Sequence, residues 1–167
     1  MARYHFVPLA TPLRNSYIPL VPVEIVRKGA GKQFPSRKLK TIAEKILELI
    51  EQDQAELSLA LVGNSEIQRL NARFRSKNYA TDVLSFPAET DLPGDVTLLG
   101  DVIISVEKAR EQAKERERTI EQEMVTLLIH GIVHLLGYDH ERSAKDAKIM
   151  GRLEKSIYRA LCDERML

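Results

Sequence analysis

The chain has one cysteine, Cys162, no tryptophan, and aromatic residues at only 5% of its 167 positions. A single cysteine excludes an intrachain disulfide and suits a reducing cytoplasm. Cys162 falls near the end of a helical pattern and reads as a packing residue. So few aromatics argue against a wide base-stacking platform. No apolar run is long enough to cross a membrane. Met1 to Ile18, broken by Pro8 and Pro12, lacks the continuous apolar stretch of a secretory signal. A formal charge of +1 argues against a polyanion-coating protein, though not against one local basic groove. These absences leave a protein expected to be cytoplasmic, with no membrane partner.

What is present is an ordinary globular composition, 44% apolar and 29% charged, in a length that suits one domain. Residues 1–17 read as an extension of uncertain order, and residues 18–167 as a single domain. Ile18 to Val26 and Glu56 to Val62 alternate as strands. Val83 to Phe86 is a short strand stopped by Pro87, Glu89 to Asp95 a turn, and Leu98 to Ser105 a strand apolar enough for a sheet interior.

Between the strands run helical patterns. From Ser36, the residues Leu39, Ile42, Ala43, Ile46, Leu49 and Ile50 share a face. After Gly63-Asn64, a short helix places Ile67, Leu70 and Phe74 at core spacing. Val106 to Arg118 is charged enough to be a solvated helix. Thr119-Ile120-Glu121-Gln122 is a capping box that opens another. Ser143 opens the last, with Ala147, Met150, Leu153, Ile157 and Leu161 as its buried stripe. This order predicts an α+β fold with a small mixed sheet of about four strands, and a central metal-bearing helix packed on it.

The chemistry concentrates in His130-Gly131-Ile132-Val133-His134-Leu135-Leu136-Gly137-Tyr138-Asp139-His140, which holds three of the four histidines. His130 and His134, four apart, stack on one helix face. Gly137 can end that helix through a left-handed residue, so the chain can bring His140 back to the same point. A lone histidine on an apolar helix face is usually a core or capping residue. Three at this spacing in apolar surroundings would be costly to bury without a shared cation. Three imidazoles leave one position of a tetrahedral site open, as in zinc sites that activate water.

The spacing is also that of the zinc-peptidase motif H-E-x-x-H-x-x-G-x-x-H, but Gly131 stands where that motif has its glutamate base. A peptidase is therefore a minor alternative. Asp139 is the nearest carboxylate, and it could orient a histidine, act as a base, or cap a turn.

A second cluster gathers Arg69, Arg73, Arg75 and Lys77 before the third strand. Taken alone, it could simply answer a helix dipole. Asn71 through Arg75, Thr81-Asp82-Val83-Leu84-Ser85-Phe86-Pro87, Leu99-Gly100-Asp101-Val102 and His130 to His140 together resemble the YbeY family. These are metal-dependent bacterial endoribonucleases linked to ribosomal RNA maturation. The resemblance covers about residues 20 to 160, with Ala80 where proline is common and Val133 where leucine is common. It implies His130, His134 and His140 as ligands of one ion, usually zinc, and Arg75 as an arginine acting beside the metal. It also implies a role in 16S ribosomal RNA processing, with ribosomal RNA and small-subunit components as partners. Lys77, on the same loop, is a candidate phosphate contact, and Asp139 a candidate catalytic carboxylate. The remaining alternative is a non-catalytic ribosome assembly factor whose zinc only pins the helix to the following turn.

Overall fold

A computed structural model describes residues 23–88 and 97–167. The expected extension 1–17, the first residues of the first strand and the turn at Glu89 to Asp95 lie outside the described residues.

Strands β1 (Val23–Arg27), β2 (Ala55–Val62), β3 (Val83–Pro87) and β4 (Thr97–Ser105) form one sheet in the order β1-β2-β4-β3. β1, β2 and β4 run parallel, and β3 pairs antiparallel with β4. The sheet is mixed: helices follow β1 and β2, whose neighbours in the sheet run parallel, whereas β3 and β4, consecutive in sequence, pair antiparallel. Helices α1 (Ser36–Leu49), α2 (Asn64–Arg75), α3 (Val106–Glu115), α4 (Ile120–Leu135) and α5 (Ala144–Asp163) complete the α+β domain, with a 3-10 turn at Gly29–Gln33.

The period-two alternation of the strands divides the core between the two faces. Leu57, Leu59, Leu61, Val102 and Ile104 point into the main core with α1, α4 and α5. Val62, Leu84 and the partly buried Ile103 point the other way, onto Ile67 of α2. Helix α4 touches β3, β4, α1, α3 and α5, which makes it the central helix of the domain. Its start is the expected capping box: the Gln122 backbone N–H donates to Thr119 Oγ1 at 3.2 Å, and the Thr119 N–H donates to Gln122 Oε1 at 3.1 Å.

Three packing expectations fail. Leu49 is exposed, and Leu47, one turn beyond Ala43, fills the core in its place. Phe74, at the end of α2, is 55% exposed; its ring meets Phe86 of the edge strand β3 edge-on, 5.2 Å between centroids, with the Arg73 guanidinium over it. Cys162 is exposed as well. It follows the buried Leu161 by one residue, and a step of about 100° around a helix turns it away from the core.

Candidate functional site

Helix α4, the end of α2, strand β3 and the loops after α2 and α4 build a cleft of about 490 Å³ whose lining includes His130, His134, His140, Arg75, Lys77 and Asp139. The histidines come from α4 and the loop after it. Gly137 follows the helix with φ +86°, where an L side chain would be strained. The Gly137 N–H donates to His134 O at 2.9 Å and the Tyr138 N–H to Val133 O at 3.4 Å. This pair of bonds is a Schellman cap, and it reverses the chain so that His140 returns over the last turn of α4.

One ring nitrogen from each of His130, His134 and His140 lies within 4.8 Å of the other two. His130 Nε2 and His134 Nε2 are 3.1 Å apart. Two imidazole nitrogens sharing a tetrahedral ion at ~2.0–2.1 Å would stand roughly 3.3 Å apart, so the donors suit a single divalent cation. Burial, aided by repulsion from His130 and His140, holds His134 below its ordinary pKa. Its neutral form, the one that ligates metal, is therefore favoured.

The His130 ring is oriented from behind, where Nδ1 lies 2.7 Å from Glu154 Oε1 on α5. A carboxylate there makes Nδ1 the protonated nitrogen and leaves Nε2 free to ligate. Sequence reading missed Glu154. Its only signal was a charge on the buried stripe of α5, four residues after Met150 and three before Ile157. A larger cavity of about 760 Å³ shares His130, Glu154 and Asp82 with this region and opens between α4 and α5. Because His134 and His140 do not line it, the smaller cleft is the one that all three histidines face.

Opposite the histidines is the loop after α2. Ser76 ends that helix in the left-handed region (φ 56°), and Arg75 and Lys77 flank it. The loop is held from beneath: buried Asn71 donates through Nδ2 to Tyr79 O at 2.9 Å, and Gln68 Nε2 donates to Asn78 Oδ1 at 3.1 Å. Of the four basic residues, Arg69 is drawn to Glu66 at 2.8 Å and Arg73 lies over the Phe74 ring. Arg75 and Lys77 are the two that line the cleft.

Asp82 closes this loop. Burial alone would raise its pKa, but hydrogen bonds from Gln112, Thr81 and the Val83 backbone N–H outweigh it, and the carboxyl sits below its ordinary value. On the other wall, Asp139 accepts the Glu141 N–H at 2.8 Å and faces Arg142 at 3.4 Å. The N–H bond is the first cause of its lowered pKa, so it stands ionised at the cleft margin.

Gly131 settles which chemistry the helix can carry. Helix α4 lies so close to the sheet that a Cβ at 131 would stand 2.6 Å from Val102 Cγ1, and the Gly131 carbonyl accepts from Ser85 Oγ at 3.1 Å. A side chain there would meet the sheet at once, at Val102 and at Ser85 Oγ, 3.2 Å away.

Residues 25–162 match the family model of Endoribonuclease YbeY. This chain belongs to the YbeY family. Endoribonuclease YbeY of Sulfurihydrogenibium sp. is 43% identical over 145 residues, which span 87% of this chain and 93% of that one. That of Persephonella marina is 43% identical over 136 residues, spanning 80% and 89%. The solution structure of TM1509 from Thermotoga maritima is similar at a TM-score of 0.60 and 33% identity, over 85% of this chain and 90% of that one.

YbeY membership accounts for the motif order seen in the sequence, and it agrees with a cluster of three histidines able to bind a metal, without the peptidase base. Among the described residues, no helix is long and apolar enough to cross a membrane.

Proposed function

We propose that this chain is a metal-dependent endoribonuclease that cuts single-stranded RNA during 16S ribosomal RNA processing, with zinc as its ion. The observation that carries this reading is one cleft holding three convergent imidazoles and, on the facing loop, an arginine and a lysine. When bound, a divalent ion would supply a Lewis acid and a water nucleophile at neutral pH. His130, His134 and His140 hold it. Arg75 pairs its planar fork of donors with the non-bridging phosphate oxygens, which gain charge in the transition state. Lys77 adds a point charge for a neighbouring phosphate. Asp139, ionised at the cleft margin, is the candidate to take a proton from the attacking group. Small-subunit components are the natural partners for such a substrate, and the cytoplasm the place of work.

Purified protein loaded with zinc should cut a model single-stranded RNA. His134→Ala and Arg75→Ala should each lose roughly a hundredfold or more in kcat while staying folded by circular dichroism. Arg75→Lys should also be impaired, because lysine lacks the fork. Equal cleavage by wild type and all three variants would point to a contaminating nuclease and sink the reading. An assembly factor without catalysis predicts no cleavage by any of them.

A further inference from the structure

The chain is poor in aromatic residues, yet the exposed ones are not scattered. Among the described residues three aromatic side chains are exposed: Phe74, Tyr79 at 54% and Tyr138 at 38%. Phe74 is already engaged, by the Phe86 ring and the Arg73 guanidinium. The other two both line the cleft that holds the histidines. One stands on each of the loops that bound it, Tyr79 two residues past Lys77 and Tyr138 two residues before His140.

Exposed rings on a floppy loop would mean little, but these two are carried on anchored backbone. Buried Asn71 holds the Tyr79 carbonyl at 2.9 Å, and the Tyr138 N–H closes the Schellman cap onto Val133 O at 3.4 Å. The fold therefore anchors the backbone that carries both rings while leaving each ring partly open to water. Beside them stand Arg75 and Lys77, which suit phosphates. Rings beside phosphate-binding cations fit a nucleic acid strand whose bases are free to unstack.

We infer that Tyr79 and Tyr138 are base-stacking residues that grip nucleotides of single-stranded RNA near the bond to be cut. The inference rests on the ribonuclease reading of the same cleft and adds the origin of its strand preference. Bases in a duplex are already stacked and paired, so they cannot be taken up by the two rings; unpaired bases can. Tyr138 also borders a small apolar groove with Leu136 and Leu153, where its ring could serve packing alone. The test must separate stacking from packing.

Leucine keeps an apolar side chain but has no planar face, whereas phenylalanine keeps the face and loses only the hydroxyl. Tyr79→Leu, Tyr138→Leu and the matching Phe variants are compared with wild type on a single-stranded oligonucleotide carrying 2-aminopurine, whose fluorescence falls on stacking. Each Leu variant should raise KM by roughly tenfold and lose much of the quench, with kcat within about twofold. Each Phe variant should behave as wild type. An oligonucleotide abasic at the contacted positions should bind wild type and Leu variants alike.

Leu variants that keep the wild-type KM and quench would overturn the inference. So would Phe variants as weak as the Leu variants, since the hydroxyl and not the ring would then matter. Tyr79, more than half exposed, can be replaced without disturbing the core, so its variants decide the matter even if Tyr138→Leu misfolds. If wild type cuts no RNA, the ribonuclease reading fails. The quench titration, which needs no cleavage, then still tests stacking: loss of quench only in the Leu variants supports it, and no quench in wild type overturns it.

Discussion

Glu154 contributes one hydrogen bond, but that bond controls what His130 offers to a cation. With the carboxylate at 2.7 Å from Nδ1, the proton sits there and Nε2 faces the other imidazoles. In Glu154→Ala the ring loses both its tautomer preference and its orientation. Zinc affinity should fall by about 10–100-fold, measured by competition with a chromogenic chelator, while Glu141→Ala on the exposed part of the following loop should change it little.

His134 sets the pH response. Its folded pKa is lowered from the ordinary 6.5, first by burial and then by the neighbouring imidazoles. The folded apoprotein therefore binds fewer protons at this position than the unfolded chain does. Its contribution to stability is present above about pH 6.5 and is lost as pH falls through the lowered value. The apoprotein should melt at a lower temperature at pH 5 than at pH 7.5. His134→Ala should show a shallower dependence over that interval, and zinc affinity should drop over it because only neutral imidazole ligates.

At the scale of elements, α4 shows how a sequence motif and a packed helix can disagree. Replacing Gly131 by glutamate would complete the peptidase motif letter for letter. In the fold, that side chain would start 2.6 Å from Val102 and push a carboxylate into the face of the sheet. Helix propensity would gain at most about 1 kcal/mol from replacing glycine. Overpacking costs ~1–3 kcal/mol, and an unpaired buried charge adds several more, so the loss dominates. Gly131→Glu should lower stability by at least about 3 kcal/mol in urea titration and show no casein hydrolysis.

The elements themselves were largely legible in the sequence. Periods, apolar runs and a capping box located the strands and α-helices, while the 3-10 turn at Gly29–Gln33 left no such mark. Errors gathered at helix ends. Leu47 and Leu49 differ by 200° around α1, and the pattern alone could not say on which side the core ended. Phe74 looked internal by spacing, but it packs against Phe86 of β3, and that β3 is an edge strand depends on strand order. Cys162 lies one residue beyond a true core position.

Across the whole molecule, a bound ion would join α4 to the loop carrying His140 and, through Glu154, to α5. Those segments bring together main-core residues such as Leu128, Ile132 and Ile157. Chelation should therefore lower the melting temperature of the entire domain. At free zinc a hundredfold above Kd the ion contributes about 2.7 kcal/mol, so removing it should shift the midpoint by several degrees in scanning calorimetry. His140→Ala should abolish that zinc-dependent difference. The expected melting order is then holoprotein above apoprotein, with the variant unmoved by zinc.

The sequence by itself determined the three-histidine cluster, because a helix repeat and one glycine bring the imidazoles together through local geometry. It also determined the α+β class, the start of α4, and the family to which the motifs belong. Only the tertiary structure decided the rest. The partner of His130 comes from a helix 24 residues away. Arg75 and Lys77 are separated from their basic neighbours by which way the α2–β3 loop leaves the helix. Gly131 is required by the distance from α4 to the sheet, and the two exposed tyrosines share a cleft because two distant loops meet. Each of these depends on contacts between segments far apart in the chain, and local periodicity carries no information about them.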